Sequence, residues 1–220
     1  ADPLPELGSS QVRGHTLFTV VSPGTELAAN YRGENLPSHP GYATAFRADE
    51  CGAEVENIEP GDALFCMGNH QSLQQQDATE VVRVPKLVPP QQAPIARLMG
   101  VSMTTLMTTD ARPGDPVLVT GAGPIGYLAA HIFNHSGYEI HAVEPNDTRR
   151  AHLIRSGIRT PYPSTPLDAP LCGEVALVVD CSGHEQAILD GVRMVRKGGE
   201  VVLVGVPWQR RTDRYAHELL

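Results

Sequence analysis

The stretch Pro116-Val117-Leu118-Val119-Thr120-Gly121-Ala122-Gly123-Pro124-Ile125-Gly126 decides the fold of this chain. A short β-branched run meets three glycines spaced G-x-G-x-x-G. An apolar-periodic segment follows, with Ile125, Leu128, Ala129 and Ile132 at helical spacing. The pattern predicts a strand, a tight turn and a helix start. Gly121 permits the sharp turn out of the strand. Gly123, lacking a Cβ, lets a pyrophosphate approach the backbone. Gly126 lets the helix pack tightly on the sheet. The first helical turn, with Pro124 and Ile125, offers unpaired N–H groups and the positive end of the helix dipole to phosphates.

A second strand-like run, Ile140–Val143, ends in Glu144, 18 residues after Gly126. The acid that binds an adenosine ribose is expected roughly 20 residues on. A carboxylate there accepts hydrogen bonds from both ribose hydroxyls and repels a 2′-phosphate, so NAD is expected rather than NADP. Two features keep other readings open. Glu144 can equally be a surface acid capping a turn before Pro145, and Arg149 and Arg150 follow closely enough to hold a phosphate.

The α/β alternation continues. Asp147–Ser156 reads as a helix, with Asn146 or Asp147 as N-cap and Gly157 as stop. Val175–Cys181 is almost wholly apolar, as a parallel strand buried on both faces requires. Ser182-Gly183 breaks it. His184–Val195 is amphipathic, with Ile188, Val192 and Val195 on one face, and Lys197-Gly198-Gly199 ends it. Glu200–Val206 is another buried strand. Ser182, Gly205 and Val206 fall at the carboxyl edge of the sheet, where ligands bind in doubly wound folds.

The first hundred residues differ. They are rich in Gly, Pro and short strand-like runs (Leu17–Val21, Ala63–Cys66, Val81–Val84), with little helix before Ile95. This predicts a β-rich domain over residues 1–95 and an α/β domain over 96–220. The Gln74–Gln76 run is too short to count as low complexity. A net charge of −8 argues against a general nucleic-acid binder. The absence of a membrane-length apolar run points away from a membrane. Cys51, Cys66, Cys172 and Cys181 are scattered without a C-x-x-C pair, which fits a reducing cytoplasm better than a disulfide framework.

Several runs resemble the medium-chain dehydrogenase/reductase superfamily, which includes alcohol, polyol and threonine dehydrogenases. They are Ser22–Leu27, Pro40–Tyr42, Glu59–Asp62, Arg112–Asp115 before the glycine motif, Val179–Gly183 and Lys197–Pro207. The resemblance implies a GroES-like β-rich domain followed by a Rossmann doubly wound parallel sheet. It also implies hydride transfer between a nicotinamide and a secondary alcohol or ketone. Zinc-dependent members carry a Cys-Gly-Thr-Asp motif and a Gly-His-Glu motif, where this chain has Pro23-Gly24-Thr25-Glu26 and Pro40-Gly41-Tyr42. The four clustered cysteines of their structural zinc are absent, and His39, His70 and Cys66 are only scattered donors. A zinc-free enzyme is therefore expected. Thr25 matches the Ser/Thr of the family's proton relay, and Tyr42 and His70 are the other catalytic candidates. Two alternatives stand beside this: a zinc-free enoyl or quinone reductase, and a dinucleotide-binding module without catalysis.

Related chains run past the strand that ends at Val206. Here a helix is expected over Asp213–Leu220. The missing sixth strand would leave Val201–Val204 as an unpaired edge, and Ala1–Ser10 reads as loop. The 220 residues are therefore expected to be an incomplete portion of the fold that associates with another copy, as a homodimer, or is covered by another segment.

Overall fold

The computed structural model describes residues 5–26, 38–159 and 161–205. The chain divides into two compact units, Ala1–Arg97 and Leu98–Leu220. Among the described residues no helix is long and apolar enough to cross a membrane.

The first unit is a five-stranded antiparallel sheet in the order β4-β1-β2-β3-β5. Its strands are β1 (Gln11–Thr19), β2 (Thr44–Cys51), β3 (Ala63–Cys66), β4 (Leu73–Asp77) and β5 (Val81–Arg83). A one-turn helix, α1 (Pro23–Glu26), follows β1. Val12, Phe46, Ala48, Leu64 and Cys66 form the core between the curled strands. Each large apolar side chain buried there is worth about 1.5–3 kcal/mol.

The strand runs read at Ala63–Cys66 and Val81–Val84 are present as β3 and β5. The run at Leu17–Val21 is only the tail of β1, which begins at Gln11. The reason lies at Gly14. It sits inside the strand at a register shift, where a Cβ would lie 1.8 Å from the Arg47 carbonyl oxygen. A glycine at a bulge lets two backbones close on each other. β2 and β4 were not anticipated. β4 holds the Gln74–Gln76 run at a sheet edge, and the buried Gln74 amide donates to Thr16 Oγ1 and to the Asn69 carbonyl. Pro5–Ser10 carry no strand, as expected.

The second unit is a five-stranded, all-parallel sheet in the order β10-β9-β6-β7-β8. After α2 (Ile95–Thr108), the elements alternate as β6 (Pro116–Thr120), α3 (Pro124–His135), β7 (Glu139–Val143), α4 (Asp147–Arg155), β8 (Pro161–Tyr162), β9 (Val175–Asp180), α5 (Glu185–Met194) and β10 (Val195–Leu203). Helices cover both faces. Val117 and Val119 pack with Phe133 of α3 and Leu153 of α4, whereas Leu118 and Val178 pack with Met194 of α5. β9 is buried at every position, which explains its unbroken apolar run. This is the doubly wound sheet anticipated from the sequence, preceded by the β-rich unit.

Two helix faces differ from the sequence reading. On α3 the buried stripe is Gly126, Ala129, Ala130 and Phe133, whereas Ile125, Leu128 and Ile132 are half-buried. On α5 it is Leu189, Gly191 and Met194, not Ile188, Val192 and Val195. On α3 Gly126, Ala129 and Ala130 face the sheet beside Phe133, and on α5 Gly191 does so between Leu189 and Met194, so a small residue allows close approach at one point of each helix. A Cβ at Gly191 would stand 3.0 Å from Val178 Cγ1. The Lys197-Gly198-Gly199 stop lies within β10, as an irregularity between Val195 and Glu200 with Gly198 at φ +79°. α4 is capped as read: the Asn146 side chain accepts from the Arg149 N–H, and Gly157 follows at φ +101°. Among the described residues β10 is an edge strand paired with β9 alone, and Leu203 is 53% exposed. The helix anticipated over Asp213–Leu220 lies outside the described residues.

Asp77 joins the segment before β1 to the end of β4. Its carboxylate accepts from Ser10 Oγ at 2.7 Å and from the Thr79 hydroxyl and N–H. These bonds, the Ser10 hydroxyl foremost, hold it down at about 2. A folded-state value below the ordinary carboxylate range of about 3.9 means the stabilisation is complete above about pH 4 and lost as the pH falls towards 2. Denaturant unfolding between pH 5 and pH 2 is expected to show a smaller acid-dependent loss of stability in Asp77→Asn than in the parent protein; equal slopes would refute the assignment.

Candidate functional site

The turn between β6 and α3 is built by close backbone contact. Gly121 adopts φ +83°, with its α-carbon packed against Ser182. A Cβ at Gly126 would lie 1.8 Å from the Gly121 carbonyl oxygen and 3.1 Å from Cys181 Cβ. Gly126 thus closes the helix onto its own turn and the neighbouring strand end. Gly123 is different: a Cβ there would meet no atom within 4 Å. It faces open space at the head of α3. Pro124 is the first helical residue and has no N–H to leave unpaired. The Tyr127 N–H makes the first intrahelical bond, to Gly123, so the N–H groups of Ile125 and Gly126 are the orphans of the first turn. An anion with several acceptor oxygens fits this cradle.

Glu144 ends β7 beside that turn and is 3% exposed. Its Oε2 accepts from the Ala122 N–H at 2.7 Å and its Oε1 from the Asn146 N–H at 2.9 Å. Arg149 Nη1 stands 3.6 Å from Oε2. The carboxylate clips the glycine turn to the β7–α4 turn. Each oxygen keeps a further lone-pair position. Arg150 donates to the Glu144 and Pro145 carbonyls and pairs with Asp147, so it is occupied locally. A cavity of about 260 Å³ opens here, lined by Ala122, Gly123, Pro124, Tyr127, Arg149 and His152.

Asp180, at the end of β9, was not singled out from the sequence. It is completely buried, and one oxygen accepts from the Thr120 and Ser182 hydroxyls, each at 2.6 Å. The other accepts from the Gly183 N–H. Its backbone carbonyl accepts from the N–H groups of Val204 and Gly205. Ser182 and Gly205 are thus placed at the carboxyl edge, as read, by a residue between them. A Cβ at Gly205 would lie 2.4 Å from the Gly183 nitrogen. Val206 lies outside the described residues. Burial, and then the Asp180 charge, push the Cys181 thiol up to about 12, which makes it an inert packing group.

The catalytic candidates of the first unit form a second cluster. His70 is its centre. Its Nδ1 is 2.8 Å from Thr19 Oγ1, and its Nε2 is 3.1 Å from Glu26 Oε2. Glu26 is 2% exposed, and its other oxygen accepts from the Ser22 N–H. The His70 N–H donates to the Pro40 carbonyl, and a Cβ at Gly41 would lie 2.5 Å from the His70 nitrogen. Gly41 takes φ +99° to allow that approach. Thr25 is exposed beside Glu26 and accepts from Ser22 Oγ at 3.2 Å. Tyr42 is half-buried, with the Arg97 guanidinium 5.3 Å from its ring centroid. His70 is thus joined to Glu26, which sequence reasoning did not name as a partner. No direct hydrogen bond joins Thr25 or Tyr42 to His70 among the described residues.

These residues do not assemble a donor set for zinc. Among the described residues no three His, Cys, Asp or Glu side chains come together as a metal-holding group. His39 is exposed. Cys66 is buried beside Gly68, and burial pushes its thiol up to about 11, away from the thiolate that zinc requires.

With this geometry in hand, known proteins give a consistent picture. The family described as zinc-binding dehydrogenase matches residues 124–217. L-galactonate-5-dehydrogenase of Escherichia coli is 32% identical over 127 residues, a match covering 54% of this chain and 37% of that enzyme. The match thus spans little more than a third of that relative's length. Among solved structures, galactitol-1-phosphate dehydrogenase from Escherichia coli superposes with a TM-score of 0.82 at 17% identity, over 100% of this chain and 74% of that one. CAD from Helicobacter pylori, complexed with NADP(H), gives 0.77 at 17% identity, over 92% and 70%. Residues 124–217 thus match the zinc-binding dehydrogenase family, and the fold of the described residues is the one these dehydrogenase structures share.

Proposed function

We propose that this chain is the cofactor- and substrate-handling part of an NAD-linked oxidoreductase that interconverts a secondary alcohol and its ketone, with side chains rather than zinc managing the substrate oxygen. The observation that carries this reading is the glycine turn with an acid-clipped neighbour: open space at Gly123, two orphan N–H groups at Ile125 and Gly126, and Glu144 beside them. The α3 head binds the pyrophosphate. Glu144 accepts from the adenosine ribose hydroxyls with its remaining lone pairs, and its buried charge disfavours a 2′-phosphate. Tyr127, Arg149 and His152 line the space for the adenine side of the cofactor. Ser182 and Gly205 belong to the strand ends that the rest of the dinucleotide crosses. NAD supplies the hydride acceptor when bound.

In the first unit His70 is the proton carrier. Its Nδ1 and Nε2 each have a partner that fixes the ring, as an acid–base group needs. The exposed Thr25 hydroxyl is the donor to the substrate oxygen, with Tyr42 as a second phenolic donor. Zinc is not part of this scheme, because Pro23, Gly41 and Tyr42 stand where the resemblance calls for ligands and Cys66 is held as a neutral thiol.

Two measurements test this. In calorimetry the parent protein should bind NAD more tightly than NADP, and Glu144→Ala should weaken NAD about 10- to 100-fold, the scale of losing charge-assisted hydrogen bonds. Tighter NADP binding by the parent defeats the cofactor assignment. Elemental analysis of protein purified without added metal should find far less than one zinc per chain. Stoichiometric zinc whose chelation abolishes turnover overturns the metal-free scheme.

A further inference from the structure

A carboxylate has no proton to give, and this decides the state of His70. Glu26 Oε1 is held by the Ser22 N–H, a definite donor, which leaves Oε2 to face His70 Nε2 at 3.1 Å. The Glu26 side chain is 3% exposed, so no bulk water replaces that partner. An ionised carboxylate only accepts, so the neutral ring must carry its proton on Nε2. Nδ1 is then the free lone pair, and the group in front of it is the Thr19 hydroxyl at 2.8 Å. A hydroxyl both donates and accepts, so Thr19 can pass a proton to Nδ1 while taking one from outside. Both ring nitrogens keep these partners. The His70 backbone N–H is tied to Pro40, and Gly41 packs against its Cγ.

We propose that Glu26 is the positioning residue that locks His70 as the Nε2–H tautomer, so that the substrate proton enters at Nδ1 through the Thr19 hydroxyl. This rests on His70 being the proton carrier of the proposed reaction. NAD, when bound, would accept the hydride lost from the substrate carbon. The hydroxyl proton goes to Thr19 Oγ1 as Thr19 gives its own proton to Nδ1. The ring becomes an imidazolium facing the Glu26 carboxylate, so one hydride and one proton are accounted for. The carboxylate opposite Nε2 offsets the charge that the ring gains. The closest relative of this arrangement is an acid–histidine pair in which the acid orients the ring without exchanging a proton.

The test reads the tautomer directly. Full-length protein labelled with ¹⁵N-histidine is followed by long-range proton–nitrogen correlation, with the His70 signals assigned by their loss in His70→Gln. The neutral ring is expected as Nε2–H. Glu26→Gln, whose amide can donate to a bare Nε2, should populate the Nδ1–H form. Thr19→Val should keep the Nε2–H form, because Glu26 sets it. Neutral Nδ1–H in the parent protein overturns the proposal without any variant. So does an unchanged tautomer in Glu26→Gln, or a switch caused by Thr19→Val alone. If the tautomer follows Glu26 as expected but His70→Gln reduces NAD with a panel of secondary alcohols as fast as the parent, the positioning role stands and only the catalytic reading of His70 falls.

Discussion

One fully buried carboxylate fixes the carboxyl edge of the parallel sheet. Desolvating an ionised group costs several kcal/mol unless hydrogen bonds replace the lost water. Asp180 meets that demand with two hydroxyls and backbone N–H groups drawn from the ends of β6 and β9. The need to satisfy the charge folds the Cys181–Gly183 turn back on itself. The same residue's carbonyl holds Val204 and Gly205 at the end of β10. Three strand ends are thereby set in one geometry before any ligand arrives. Glu144 repeats the device two strands over, where backbone N–H groups from two successive turns converge on one side chain. Sites built this way need little rearrangement on binding, so less of the binding free energy is spent on ordering.

The division of labour between the two units follows from their sheets. A parallel sheet with helices on both faces puts all its strand ends, and hence its turns, along one edge. The curled antiparallel sheet instead brings residues far apart in sequence side by side across its strands and loops. His70 and Glu26 are 44 residues apart, and His70 and Thr19 are 51 apart. The parallel sheet does the same where neighbouring strands end together: Thr120 and Asp180 are 60 residues apart.

This contrast also decides what could be read from the sequence. The Rossmann half was legible because its signals are short-range: a β-branched run, glycines at fixed offsets, an acid at the next strand end, Asn146 before a helix. The strands of the first unit were only partly legible. Gly14 inside β1 and three glutamines in β4 contradict the local rules for strands, and tertiary pairing overrides them. The buried faces of α3 and α5 were misplaced because a period count favours large apolar residues, whereas the sheet selects small ones for close approach. Thr25, Tyr42 and His70 were found as single residues, yet the pairing of His70 with buried Glu26 was not. The adjacent Thr25-Glu26 dipeptide held a signal, an acid next to a candidate hydroxyl, but nothing in the sequence says which histidine it faces. Asp180 was hidden for a similar reason: it reads as the polar end of an apolar run, and its role depends on Thr120 in another strand.

The stripe of Gly126, Ala129, Ala130 and Phe133 on α3 has a mechanical meaning. A helix that touches a sheet through hydrogens and methyl groups has almost no slack, since neither surface has a side chain that can swing aside. Its axis is therefore fixed along its whole length. The orphan N–H groups of Ile125 and Gly126 sit at one end of that rigid rod, and Phe133 wedges the other. Added bulk midway, at Ala129 or Ala130, would tilt the rod about its tight point and displace the anion cradle without touching it. The reach of the glycine turn thus extends to alanines about one helical turn away, whose task is to stay small.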